Sequence, residues 1–162
     1  MYFEYFPPTL YTLDDKTTVN LVTNIFLRNV ISEDVKNNYS LYDEYDVIDG
    51  ETPEILSQKF YRTPKLHWLI LHYNDILDPR FDWPLSTFNL IKYCQSKYTN
   101  INATHHYINS DGYIVNSTET GATPVSNFTY EEELNERKRR IKILKPTYVD
   151  SFVREFVNKI SR

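Results

Sequence analysis

At 162 residues, with 41% apolar and 25% charged positions, the chain can form one domain or two small ones around a core that needs no covalent staple. Its net charge of −4 argues against a general nucleic-acid binder, and three glycines are too few for either type of phosphate-cradling loop. A lone cysteine excludes an internal disulfide, and no apolar run approaches the ~18 residues that span a bilayer.

Met1–Pro8 has no basic stretch ahead of an apolar one, so no signal peptide is read there; the chain is expected in the cytoplasm or in an assembly made there. Tyr2 to Phe6 is expected to be extended and to be broken by Pro7-Pro8, which cannot enter a central strand. Val19 to Leu27 fits neither the helical nor the strand period, and its type stays open. An aromatic-bearing segment of this kind, poor in glycine, is expected to order on a partner.

The centre is clearer. Tyr45-Asp46-Val47-Ile48 reads as a strand that ends at the Asp49-Gly50 turn. Thr52-Pro53 then supplies an N-cap and a proline at the first helical position, with Ile55, Leu56 and Phe60 as the apolar side. Thr63-Pro64 repeats the signal and opens a second helix that is apolar nearly all round, carrying Leu66, Trp68, Leu69, Ile70, Leu71 and Tyr73. Asn74 is expected to end it in a left-handed conformation, and Asp78-Pro79 and Trp83-Pro84 punctuate an extended exit. Ser86 caps a third helix that buries Leu90 or Ile91, Cys94 and Tyr98.

Thr104–Ile108 and Tyr113–Asn116 flank the turn-rich Asn109-Ser110-Asp111-Gly112 and predict a β-hairpin. Thr129-Tyr130-Glu131-Glu132 reads as a capping box at the start of a charged helix, with Glu133/Arg137 and Glu136/Arg140 spaced as helical ion pairs. Ile141 and Ile143 alternate with Lys142 as a strand would. Pro146 then leads into a final amphipathic helix built on Val149, Phe152, Val153, Phe156, Val157 and Ile160. Residues 129–162 carry nine bases against six acids, whereas residues 1–44 carry three against seven.

No arrangement points to catalysis, a cofactor or a metal. His67 and His72 are five apart, about 140° around a helix, and His105 and His106 are expected on opposite faces of a strand. Cys94 lies on a helical core stripe, and turn-forming or capping roles account for Asp46, Asp49, Asp75, Asp78 and Asp82. The compositional signal is aromatic: fourteen Tyr, nine Phe and two Trp suit surfaces that are wet alone and buried in a complex. An interaction protein is the leading class.

The central residues Tyr45-x-Val47-x-Asp49-Gly50-Glu51-Thr52-Pro53-x-Ile55-Leu56, Phe60-Tyr61, Asn74 and Asp78-Pro79 resemble a LysM module, a small βααβ domain that often binds N-acetylglucosamine polymers. A broader set resembles the baseplate wedge subunit family of contractile-tailed bacteriophages: Phe6-Pro7, Asp49 to Leu56, Phe60-Tyr61-x-x-Pro64-x-Leu66-x-Trp68, Asn74-Asp75-x-x-Asp78-Pro79, Trp83, the hairpin Tyr107 to Gly112, Asn135-Glu136 to Ile143, Pro146 and Phe152. Family members often carry glycine where this chain has Arg62.

The resemblance implies an α+β fold with a central LysM-like βααβ unit, flanking helices and a β-hairpin insertion. The expected division is an N-terminal partner-binding segment (1–44), the LysM-like unit (45–85), a helix with the hairpin insertion (86–128) and a C-terminal helical segment (129–162). It implies a structural role in the virion tail baseplate, assembled in the host cytoplasm, holding wedge subunits and neighbouring wedges together around the hub without cofactor, nucleic acid or membrane. Tyr2, Phe3, Phe6, Tyr61, Phe81, Trp83, Tyr107, Tyr113, Arg137 and Arg140 are the expected partner contacts. Trp68 is expected in the core. The alternatives are a peptidoglycan-binding LysM module and, more remotely, a muramidase-like hydrolase.

Overall fold

The computed structural model describes residues 2–12, 19–27 and 30–160, and the chain divides into two compact units. The first is drawn from residues 1–44, 52–77 and 142–162, and the second from 45–51 and 78–141. The fold class is α+β, with helices and small sheets in both units.

In the first unit the chain opens with a 3-10 turn at Tyr2–Tyr5, where an extended piece was expected. Phe6 closes that turn by donating its N–H to the Phe3 carbonyl. Strands β1 (Pro8–Thr12) and β2 (Val19–Thr23) form an antiparallel ribbon with Leu10 opposite Leu21. Pro8 starts the first strand of a two-stranded sheet, a position that tolerates a missing donor. A short helix α1 (Glu33–Lys36) follows, then β3 (Tyr42–Asp46), which begins three residues before the expected Tyr45.

Helix α2 (Pro53–Tyr61) forms where its start signal lies: the Thr52 hydroxyl accepts from the Ile55 N–H and Pro53 takes the first helical position. Of its expected apolar side, Leu56 is buried but Ile55 is exposed. Buried Ser57 takes part in place of Ile55 and donates to the Thr63 carbonyl at 2.6 Å. Arg62 ends the helix at φ +60, the left-handed conformation that glycine adopts most readily. Thr63-Pro64 starts a 3-10 turn (Pro64–Leu66) that runs into α3 (His67–Tyr73).

Asn74 is not left-handed (φ −102); Asp75, the next residue, is (φ +56). Asn74 has a different task. Its amide donates to the carbonyls of Ile70 and Lys142 while its carbonyl oxygen accepts from the Lys142 N–H at 2.7 Å. A side chain thus serves β7 (Arg140–Leu144) as a neighbouring backbone would. Strand β7 also pairs with β3, and the division between the units falls inside both strands.

Helix α7 (Pro146–Ile160) completes this core. Val149, Phe156 and Ile160 pack with Phe6, Ile31, Tyr42, Trp68, Leu69, Tyr73 and Leu144, with Phe152, Val153 and Val157 against the cluster. Lys36 is buried too, its ammonium 2.6 Å from both Asp75 oxygens and 3.3 Å from Glu33. Burial pulls the Lys36 ammonium down, but its hydrogen bonds to Asp75 and Glu33 outweigh that and hold it above the usual lysine range.

In the second unit, the start of the expected extended exit is a helical turn, α4 (Pro79–Asp82), capped by the Asp78 carboxylate on the Arg80 N–H, and Trp83 resumes extended geometry. Helix α5 (Thr87–Lys97), capped by Ser86, buries Leu90 and Cys94 as its spacing predicts. The hairpin β4 (Thr104–Ile108) and β5 (Ile114–Val115) is present, with Ile108 opposite Ile114 and Gly112 at φ +81 in the turn. Strand β6 (Thr123–Ser126), which the sequence reading did not foresee, pairs with the other edge of β4.

Helix α6 (Asn127–Glu136) starts three residues earlier than the capping box suggested, because Ser126, not Thr129, accepts the helical N–H, at 3.0 Å from Thr129. Since α6 ends at Glu136, Arg140 lies in β7 and the expected Glu136/Arg140 helical pair does not form. Glu136 binds Arg139 instead, at 2.6 Å. Asn135 is buried on α6 and grips Leu85 by both its N–H and its carbonyl, at 2.7 and 2.9 Å. Each unit thus uses an asparagine side chain to bond both the N–H and the carbonyl of one residue in a distant segment, Lys142 in the first and Leu85 in the second.

Candidate functional site

The His67 Nδ1 lies 2.9 Å from the Pro64 carbonyl, and the His72 ring sits edge-on to Phe156. His105 and His106 do not point to opposite faces as expected. A register shift between Thr104 and His106 breaks the alternation and brings the two Nδ1 atoms to 2.9 Å, with the His105 ring stacked on Tyr130 at 4.0 Å. Among the described residues no group of three or more His, Cys, Asp or Glu side chains is placed to hold a metal ion. Cys94 is fully buried, and that burial pushes its thiol up, away from the reactive thiolate.

The five central aspartates have structural partners. Asp75 holds Lys36, Asp46 faces Arg140 at 3.4 Å, and Asp49 accepts from the Thr87 N–H at 2.8 Å. Asp78 caps α4 and binds the Arg80 guanidinium, which holds its carboxyl below the usual range, and Asp82 accepts from the Asp78 N–H.

The expected partner contacts separate into accessible and interior residues. Phe3, Phe81 and Tyr113 are exposed; Arg137 is exposed at the end of α6, and Arg140 is exposed beside Asp46. Tyr107 is half-buried in β4, and the Tyr2 side chain lies outside the described residues. Phe6 and Trp83 are interior in the isolated chain, at 7% and 6% exposure. Phe6 is drawn into the ring cluster around Phe156, and Trp83 is held inward by donating its indole N–H to the Glu51 carbonyl at 2.9 Å. Tyr61 packs against the core, where burial pushes its hydroxyl above the ordinary tyrosine range.

What the aromatic count missed is largely aliphatic. The β1–β2 register places Leu10, Leu21 and Val19 on one face of the ribbon and Tyr11 and Val22 on the other. All five are exposed, Leu10 and Leu21 at 70% and 69%. Just beyond β2, Ile25 and Phe26 are exposed as well. A two-stranded ribbon without a covered face is marginal in water, so these residues form a surface suited to being covered. The signal in the sequence is weak: Thr9–Thr12 and Val19–Val22 are rich in strand-favouring residues, but each run is short and alternates poorly, and residues 13–18 include no glycine.

No curated protein matches the sequence. Residues 1–119 match the family described as base plate wedge protein 53. That match begins at the first residue and so takes in the ribbon, where the sequence resemblance rested on Phe6-Pro7 alone; it continues through both central helices and the hairpin. With most of its length covered by that match, the chain belongs to the base plate wedge protein 53 family.

Proposed function

We propose that the chain acts as a non-enzymatic joint in the wedge of a contractile tail baseplate, binding other wedge subunits by covering apolar surface. Membership of the family makes it a structural component of a phage tail baseplate. The observation that supports the finer reading is the ribbon, where Leu10, Val19 and Leu21 share one uncovered face. In this reading residues 1–44 are the partner-binding segment. Burying a leucine fully is worth roughly 1.5–3 kcal/mol, so two of them supply a large part of a subunit contact.

The test is assembly. Leu10→Asp/Leu21→Asp is expected to keep the far-ultraviolet circular dichroism of the parent chain and to lose co-purification with wedge subunits by about a hundredfold or more. A variant that enters wedges as well as the parent overturns the role of the ribbon.

The pairing of β3 with β7, with α2 and α3 following β3 in the chain, supports a LysM-like strand–helix–helix–strand scaffold whose closing strand is residues 140–144 and not, as the expected bounds 45–85 implied, the segment after α3. In this reading the scaffold is architectural. Retention of the chain on purified peptidoglycan, competed by chitin oligomers, would favour the glycan-binding alternative.

A further inference from the structure

In the second unit, α4, α5 and α6 border an open groove of about 460 Å³. Its apolar lining includes Leu85, Leu90, Tyr93 and Leu134, with Phe81 exposed at its edge. Three cations lie along it: Arg80, Lys97 and Lys138. Glu131 is the carboxylate among the lining residues, and it already accepts from Lys97 and the Tyr98 hydroxyl at 2.7 Å each. Asp78 occupies Arg80. Lys138 differs from the other two: its ammonium donates to the Phe81 carbonyl at 2.6 Å and has no carboxylate partner among the described residues.

An apolar trough with a surplus of positive charge, on a chain of net charge −4, selects its occupant. Nucleic acid fits poorly, because one uncommitted cation neutralises too little phosphate and the lining offers aliphatic side chains. A protein segment with a large apolar residue near a carboxylate matches both features. Lys138 is pre-oriented by its bond to the Phe81 carbonyl, so a carboxylate that meets it gains a charge-assisted hydrogen bond at reduced entropic cost.

We propose that this groove receives a segment of a neighbouring baseplate protein, seating a large apolar side chain on Leu90 and Leu134 beside Phe81 and an Asp or Glu carboxylate on Lys138. The proposal rests on the assembly reading above and adds the chemistry of one partner.

The experiment uses the full-length chain with the photo-crosslinker p-benzoylphenylalanine installed at Phe81 or, separately, at Tyr93, supplied during infection in place of the parent chain. Purified particles are irradiated and the crosslinked peptides identified by mass spectrometry. The expected product joins this chain to another baseplate protein at a segment with an apolar residue and an acid within one helical turn. Lys138→Glu is expected to lower the crosslink yield about tenfold, and Lys138→Arg to preserve it. Crosslinks to a basic segment, to nucleic acid or within this chain alone overturn the proposal, as does an unchanged yield with Lys138→Glu. If the parent chain is itself absent from particles, the assembly reading falls and takes the groove with it; if the chain is present but neither position crosslinks to a partner, the groove alone falls.

Discussion

Phe156→Ala tests whether the first unit is organised around one ring. Phe156 is 2% exposed, and its centroid lies 4.7 Å from Trp68, 6.0 Å from His72, 6.2 Å from Phe6 and 6.3 Å from Tyr5. Truncating a buried Phe to Ala costs about 3–5 kcal/mol, and a site walled by other rings collapses poorly, which places the loss near about 4–5 kcal/mol. With both units unfolding together, a chain of this size shifts by about 2–4 °C per kcal/mol, so the melting temperature should fall by about 8–20 °C. Urea unfolding is the quantitative assay, followed by Trp68 fluorescence in a Trp83→Phe background so that the signal comes from the affected cluster. The midpoint should drop without a change in slope. Phe88→Ala, at an exposed position, is the control and should stay within about 0.5 kcal/mol. A loss below about 1.5 kcal/mol for Phe156→Ala would refute the single-ring account.

Two further outcomes follow from local geometry. Burial would raise the Glu131 carboxyl, but hydrogen bonds from Lys97 and Tyr98 outweigh it and hold the group below its ordinary value of 4.5. A lowered folded-state value means that Glu131 contributes stability above 4.5, which is lost as pH falls through that value and then through the folded-state one. Glu131→Gln should therefore lose about 1–2 kcal/mol at neutral pH and show a shallower acid decline in urea titrations; an unchanged acid limb removes Glu131 as a source of that decline. Arg62→Gly should relieve a left-handed residue that costs about 1–2 kcal/mol, offset by about 0.5–1 kcal/mol of extra chain entropy, for a net gain of about 0.5–1 kcal/mol in thermal unfolding. A destabilised glycine variant would mean that the Arg62 side chain contributes more than its backbone strain removes.

Legibility followed the range of the interactions. Thr52-Pro53, Thr63-Pro64 and Ser86 predicted helix starts because a cap is satisfied within three residues. The hairpin was readable from Asn109–Gly112, where the Asn109 side-chain oxygen Oδ1 accepts from the backbone N–H groups of Asp111 and Tyr113. Asn74 and Asn135 were not readable in these roles, because their partners, Lys142 and Leu85, are set by tertiary packing. Trp83 misled for the same reason: flanked by Asp82 and Pro84 it looks like a loop residue, yet its indole N–H reaches the Glu51 carbonyl. Counting tyrosines favoured residues that pack inward and satisfy their hydroxyls inside the fold, such as buried Tyr73, which donates to the Val35 carbonyl. Exposed aliphatics such as Leu10 and Leu21 give no compositional signal, since apolar residues are common on all protein surfaces.

The Phe6–Phe156 contact joins the two ends of the described chain, and its consequence falls during synthesis. At translation speeds of ~5–20 residues per second, Phe6 is polymerised roughly 8–30 s before Phe156. Through that interval Phe6 and Trp68 lack the helix that encloses them, a state in which holding chaperones have their binding surface. A message broken before residue 140 yields a polypeptide without β7 or α7, unable to enclose its own rings and open to proteolysis. Enclosure of the first unit's rings thus depends on the segment made last among the described residues, so the finished core forms late in synthesis.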